Sequence, residues 1–249
     1  MTTSPLTARV ALVTGAARRV GAAIATALHA AGASVVIHYR SSRNDAETLA
    51  ENLNRARAGS AVALAADLLE VDEHVRLVAA AVKAFGALDI LVNNASTFYA
   101  TPVGKITAAA WDDLLGSNLK APLFLSQAAA PALRARAGLI LNLVDIHGLR
   151  PLPDYAVYST AKAGLIMLTR ALARELGPEI RVNGIAPGPV LWPEGDLDAA
   201  VKEEIVRKTV LKRLGSPDDV AKAAVFFATA APFITGQILA VDGGRSLGW

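Results

Sequence analysis

The sequence predicts an α/β protein: a single doubly wound domain, 1–249, on a mostly parallel, seven-stranded sheet. Three observations carry this. Strand-like and helix-like runs alternate from end to end. No Pro/Gly/Ser-rich linker or long charge run divides the 249 residues, a length that suits one large domain or two small ones. An apolar strand near the start runs through a glycine-containing turn into a helix, the order that opens a doubly wound sheet.

The elements follow in order. Val10-Ala11-Leu12-Val13 is the first strand. It enters the turn Thr14-Gly15-Ala16-Ala17-Arg18-Arg19-Val20-Gly21 and then a helix over 22–28. The second strand is 34–38, and a helix over 44–57 ends before Gly59. The third strand is 61–65, and a helix over 71–85 stops at Gly86. The fourth strand, 88–92, carries Asn93-Asn94-Ala95-Ser96 just past its end. Residues 111–135 read as one long helix, which Pro122 kinks or divides because it has no N–H to donate. The fifth strand, 139–144, places Asp145 at its C-terminal end, where open α/β sheets bind ligands. The helix holding Tyr158 runs to Leu176, before Gly177-Pro178. The sixth strand is 180–185, and a substrate loop is expected at about 188–215. Ser216-Pro217-Asp218-Asp219 reads as an N-cap followed by proline at the first helical position. The last strand is 237–241.

Composition excludes several classes. The formal charge of +3 is mild and the basic residues are scattered, so nucleic acid is not an expected partner. There are no cysteines, which removes disulfides and thiolate chemistry. The four histidines lack metal-ligand spacing, so no metal is expected. Residues 1–10 lack the apolar core of a signal peptide, and no apolar run is long enough to span a bilayer. A cytoplasmic location and no membrane partner are the expectation.

The chemistry concentrates at Asp145, Tyr158 and Lys162. Asp145 lies thirteen residues before Tyr158, and Lys162 four after it. Residues four apart share a helix face, so phenol and ammonium can share a pocket. A nearby ammonium favours the phenolate. In isolation the pair reads first as an ordinary amphipathic helix pair; the strand–glycine turn–helix near the N-terminus gives the catalytic reading its weight. The backbone amides and helix N-terminus of that turn can hold a pyrophosphate.

Together these features resemble the short-chain dehydrogenase/reductase family over nearly the whole chain. Asp67-Leu68, Asn93-Asn94-Ala95, Asn118, Pro187-Gly188, Ile234-Thr235-Gly236 and Val241-Asp242-Gly243-Gly244 are further landmarks in order. The usual family pattern has glycine where Arg19 stands and serine where Asp145 stands. Both departures, with Ser96-Thr97-Phe98-Tyr99, resemble the family's pteridine reductase branch.

The resemblance implies a Rossmann fold and an NADPH-dependent reductase of a pteridine-type small molecule. It implies that Asn118 positions Lys162 through water, and that Arg19 contacts both pyrophosphate and ligand ring. Gly15, Arg18, Arg19, Val20 and Gly21 would hold the cofactor with Asp67, Leu68, Asn94, Ala95, Ser96, Tyr158, Lys162, Pro187 and Gly188. The second strand ends His38-Tyr39-Arg40-Ser41, with no acid until Asp45. That favours NADPH over NADH, with Arg40 on the 2′-phosphate and His38 and Ser41 adding hydrogen bonds. Arg19, Ser96, Phe98, Tyr155 and Asp145 would orient the substrate, with Phe98 stacking on a flat ring. Trp192 is a lid residue or a loop anchor. His147 has no assigned role. Asp145 is otherwise a strand-end cap, Asn118 a backbone partner, and Phe98 and Tyr99 packed loop residues.

A serine at 145 would donate to a carbonyl oxygen, which an ionised carboxylate cannot do. The carboxylate therefore argues for a nitrogen-rich ring over a 3-oxoacyl or sugar ketone. Apolar residues on the 111–135 and Tyr158 helices point to a homotetramer, since the family pairs these helices between subunits. By the same resemblance the apolar end Leu247-Gly248-Trp249 reaches a neighbouring subunit's pocket.

Overall fold

A computed structural model describes residues 4–192 and 198–248. Among them, seven strands form one sheet: β1 (Val10–Val13), β2 (Ser34–Tyr39), β3 (Ala61–Ala65), β4 (Ile90–Asn93), β5 (Leu139–Leu143), β6 (Arg181–Pro187) and β7 (Ile238–Val241). The order is β3-β2-β1-β4-β5-β6-β7, and every pair is parallel. The order reverses between β1 and β4, and the crevice at that switch point receives ligands in such sheets.

Side chains alternate across the sheet. Ala11 and Val13 of β1 pack under α1 (Arg19–Ala30), α2 (Arg43–Ala56) and α8 (Pro217–Thr229). Val10 and Leu12 pack under α3 (Val71–Phe85), α5 (Ala121–Arg134) and α6 (Ala156–Leu176). Burial on both faces explains why β1 is apolar throughout rather than alternating. At the opposite end of the sheet, buried Asp89 accepts from Arg9 (2.7 Å), Arg136 (2.9 Å) and the Val10 amide (2.9 Å), fixing the start of β1.

The single helix expected at 111–135 is two helices. α4 (Ala108–Leu115) begins at Thr107, whose hydroxyl accepts from the Ala110 amide. It opens into a π-helical turn, Gly116–Lys120, and α5 starts with Pro122 in its first turn. Proline cannot supply the next ladder hydrogen bond, so the ladder widens there. That wide turn places Asn118 at the active site. The region expected as a substrate loop contains α7 (Ala199–Arg207), started by Asp198 accepting from the Ala200 amide. Ser216 and Asp219 form a reciprocal capping box on α8, with Pro217 in its first turn, as expected. No described helix is long and apolar enough to cross a membrane.

Candidate active site

The site lies along the C-terminal edge of the sheet and has two ends. At one end β1 turns into α1. Gly15 has φ +58°, and a Cβ there would lie 2.9 Å from the Ala95 Cα. A Cβ on Gly21 would strike the Gly15 carbonyl and the Asn94 side chain. Asn94 latches this turn, donating to the carbonyls of Thr14 (2.8 Å) and Gly15 (3.1 Å). Thr14, to which the sequence alone assigns no role, closes it from the other side. Its hydroxyl accepts from the amides of Asn94 and Ala95, both 2.9 Å.

His38 has a different task from the one expected. It is buried, its Nδ1 accepts from the Gly15 amide (3.1 Å), and its Nε2 donates to the Ala66 carbonyl (3.1 Å). Burial pulls its pKa from 6.5 down to about 4, against smaller upward pulls from the Ala66 carbonyl and Asp67. A neutral ring committed at both nitrogens cannot bind a phosphate; it braces the glycine turn between β2 and β3.

The α1 N-terminus has no side-chain cap, which leaves its first amides for an anion. Arg19 starts α1 at φ +56°, a left-handed conformation that explains why glycine suits this position in related chains. Its guanidinium donates to the Trp192 carbonyl at 2.8 Å, so Trp192 anchors its loop through the main chain. The residues expected to hold the nucleotide between Gly15 and Ser96 all line one cleft of about 390 Å³. Arg40, Ser41 and Ser42 line its rim, and the first carboxylate downstream, Asp45, lies 3.7 Å from Arg18. A backbone-lined cradle with arginines at the end of β2 fits a dinucleotide; Asp67, past the end of β3, lines the same cleft. Tyr158, Lys162, Pro187 and Gly188 lie outside that cleft's lining; Gly188 follows β6, its amide bonded to the Val241 carbonyl at the end of β7.

At the other end, β5 delivers Asp145 and the first turn of α6 delivers Tyr158. The Tyr158 hydroxyl donates to Asp145 Oδ2 at 2.8 Å. Asp145 Oδ1 accepts from the His147 amide at 2.8 Å, capping a 3-10 turn, Ile146–Gly148. Strand-end cap and tyrosine partner are thus both true, one oxygen each. Lys162 is buried and donates to the Leu143 carbonyl at 2.9 Å. Its ammonium lies 5.6 Å from the Tyr158 ring centroid.

The phenol behaves opposite to the simple expectation. Burial, then the charge and hydrogen bond of Asp145, hold its pKa well above 10, with Ser96 pulling weakly the other way. Lys162 is itself pulled down to about 8 by burial, offset by Asp145. These surroundings keep Tyr158 protonated.

Asn118, fully buried, donates to the carbonyls of Thr97 and Leu114 (both 3.0 Å) and accepts from Ser96 Oγ at 2.6 Å. Its direct contacts thus orient Ser96. A Thr97–Ser117 hydroxyl pair at 2.6 Å, absent from the sequence reading, ties the same segment to the wide turn. Phe98 stacks on Tyr155 (4.5 Å between centroids, 16°) and meets the Tyr158 ring edge-on (4.8 Å, 77°). Tyr99 points elsewhere, donating to Asp113 at 3.0 Å. Among the described residues, no group of three or more acidic or histidine side chains could hold a metal ion.

A family model described as enoyl-(acyl carrier protein) reductase matches residues 15–246. Pteridine reductase 1 of Leishmania tarentolae is 41% identical over 99% of this chain and 99% of its own length. The 3-oxoacyl-[acyl-carrier-protein] reductase FabG of Staphylococcus aureus is 37% identical over 94% of this chain and 96% of its own. The counterpart in Staphylococcus epidermidis is 36% identical over 94% and 97%. With a nucleotide cradle at the switch point and Tyr158 and Lys162 on one helix beside it, the chain is an oxidoreductase that belongs to the short-chain dehydrogenase/reductase family.

Proposed function

We propose that the protein is an NADPH-dependent reductase that reduces a ring C=N bond of a dihydropterin- or dihydrofolate-type substrate. The observation that carries this is the Asp145 carboxylate, fixed at one oxygen by the His147 amide and bonded at the other to the Tyr158 hydroxyl. A pteridine offers ring N–H and exocyclic amine donors for such a carboxylate; a ketone offers none. Similarity to pteridine reductase 1 supports the same choice.

The Gly15 turn, the α1 amides and Arg40 would hold NADPH, which would supply the hydride. Tyr158, kept protonated by its surroundings, gives its proton to the ring nitrogen. Lys162 stabilises the resulting phenolate, and Asp145 orients the ring and relays the replacement proton. Phe98 offers its exposed outer face for stacking. A ring between Phe98 and Tyr155 would need them about 7 Å apart, two contact layers, and they lie at 4.5 Å. Ser96, held by Asn118, positions the reacting edge.

The 3-oxoacyl relatives support a second reading, carbonyl reduction. It suits Asp145 poorly, because an ionised carboxylate repels a developing alkoxide. The exposed apolar Leu123 on α5 and Met167 on α6 support a homotetramer, as does the family's helix pairing; light scattering at micromolar concentration tests it. Trp249 and residues 193–197 lie outside the described residues. NADPH oxidation against a panel of dihydropterins, dihydrofolates and 3-oxoacyl thioesters tests the function. Dihydropterins should be the best substrates and NADPH should exceed NADH. Faster turnover of an oxoacyl thioester, or equal efficiency with NADH, would reject the assignment.

A further inference from the structure

Asp145 is reached from a distant part of the chain by a continuous run of hydrogen bonds. We propose that residues 243–248 form a strap that acts through Arg150 and His147 to hold Asp145 in register with Tyr158, making Arg150 and His147 positioning residues.

The run starts in a built turn. Asp242 accepts from the amides of Gly244 (2.9 Å) and Ser246 (2.7 Å). The Gly243 carbonyl accepts from the amides of Val210 (2.8 Å) and Leu211 (3.0 Å), tying the turn to the segment after α7. Gly244 has φ +76°, and a Cβ there would lie 2.7 Å from the Val210 Cβ. The turn therefore has one conformation and directs the following residues across the molecule. Arg150 meets them, donating from Nη1 to the Gly248 carbonyl at 2.7 Å across 98 positions of sequence.

The run continues inward. The Arg150 carbonyl faces His147 Nδ1 at 3.2 Å. A carbonyl only accepts, so the proton sits on Nδ1. The His147 amide then caps Asp145 Oδ1, and Asp145 Oδ2 takes the Tyr158 proton donor. Four hydrogen bonds thus connect the strap to the reacting phenol. Tyr158 itself faces three polar groups, Asp145, Lys162 and Ser96, and only Asp145 depends on this run. The 3-10 turn that Asp145 caps has three residues; Ile146 is buried beside Leu165 and Ile166, so its near end is set by the core. Its far end is secured through Arg150, which is why a remote segment can set a carboxylate angle.

The inference rests on the proposed role of Asp145 beside Tyr158, but two of its tests need no substrate. The variants are Arg150→Ala, His147→Ala, His147→Asn and deletion of 247–249, all in the full protein. Hydrogen exchange of a peptide spanning 146–150 should speed up in all but His147→Asn, which keeps a donor for the Arg150 carbonyl. Tyrosinate absorbance, taken by difference against Tyr158→Phe, should show the phenol titrating lower in Arg150→Ala than in the wild type, as a looser Asp145 raises it less. With the best substrate of the panel, kcat should fall about tenfold while KM for NADPH holds within about twofold, the mark of misplacement at the reacting centre. His147→Asn should recover most of that loss. A fall in kcat with unchanged exchange and phenol titration would make the segment merely structural and overturn the proposal, as would unchanged kcat. If exchange and titration respond while no pterin is turned over, the strap stands and the substrate assignment fails.

Discussion

The two ends of the crevice hold their ligands by different means. Around Gly15 the contacts are main-chain: amides, carbonyls, and side chains such as Asn94 and His38 that serve only to lock the backbone. Around Asp145 the contacts are side-chain: a carboxylate, a phenol, a buried ammonium and two more aromatic rings. A backbone cradle fits the same phosphate whatever side chains surround it. A side-chain constellation changes its chemistry with one substitution. On the proposed function, the first end marks the family and the second selects the substrate.

The largest effect should come from the chemical end. Tyr158→Phe removes the proton donor and should lower kcat about 10³-fold, within the general-acid range. NADPH affinity by fluorescence titration should stay near wild type. A variant that loses affinity as well would mean that the two ends are not separable.

Asp145→Asn should cost about 100-fold in dihydropterin turnover, again with NADPH binding intact. Turnover at the wild-type rate would reduce Asp145 to a cap on the 3-10 turn.

Gly21→Ala probes the opposite end. Its new methyl group collides with the Gly15 carbonyl and Asn94, an overpacking that should weaken NADPH binding about tenfold. At saturating NADPH, kcat should approach wild type. A kcat loss that saturation does not relieve would show the cradle shaping the chemistry too.

The smallest effect concerns stability. His38 titrates near 4 when folded and near 6.5 when unfolded. As pH falls through that interval the unfolded chain takes up a proton that the folded one refuses. Stability should therefore decline from about pH 6.5 to 4, by about 3 kcal/mol in total from this group. Urea unfolding at several pH values should show a shallower slope in His38→Gln. An identical slope would place the acid sensitivity elsewhere.

The sequence exposed the two ends unequally. Apolar runs marked all seven strands; the central β1, β4 and β5 bury both faces, while the edge strands β3 and β7 are partly exposed. Tyr158, Lys162 and Asp145 were legible from spacing, since a helix turn and a strand end fix where they point. The division of 111–135 was half legible: Pro122 announced a break, but a π-helical turn has no composition of its own. His38 was misread because a residue at a strand end faces either the cleft or the turn, and sequence alone does not say which. Helix α7 was missed because nine residues after an undecided loop give a weak period; the Asp198 cap was the available signal. The Arg150–Gly248 link joins positions 98 apart with no motif between them.

The central claim is that one side chain at the end of β5 selects the substrate class. The most direct measurement is the ratio of kcat/KM for a dihydropterin to that for a 3-oxoacyl thioester, in wild type and in Asp145→Ser, with NADPH saturating. The ratio should exceed one in the wild type and fall by about two orders of magnitude in the variant, as dihydropterin turnover drops and carbonyl turnover holds or rises. An unchanged ratio would contradict the account and move substrate selection to other residues, Arg19 and Phe98 first.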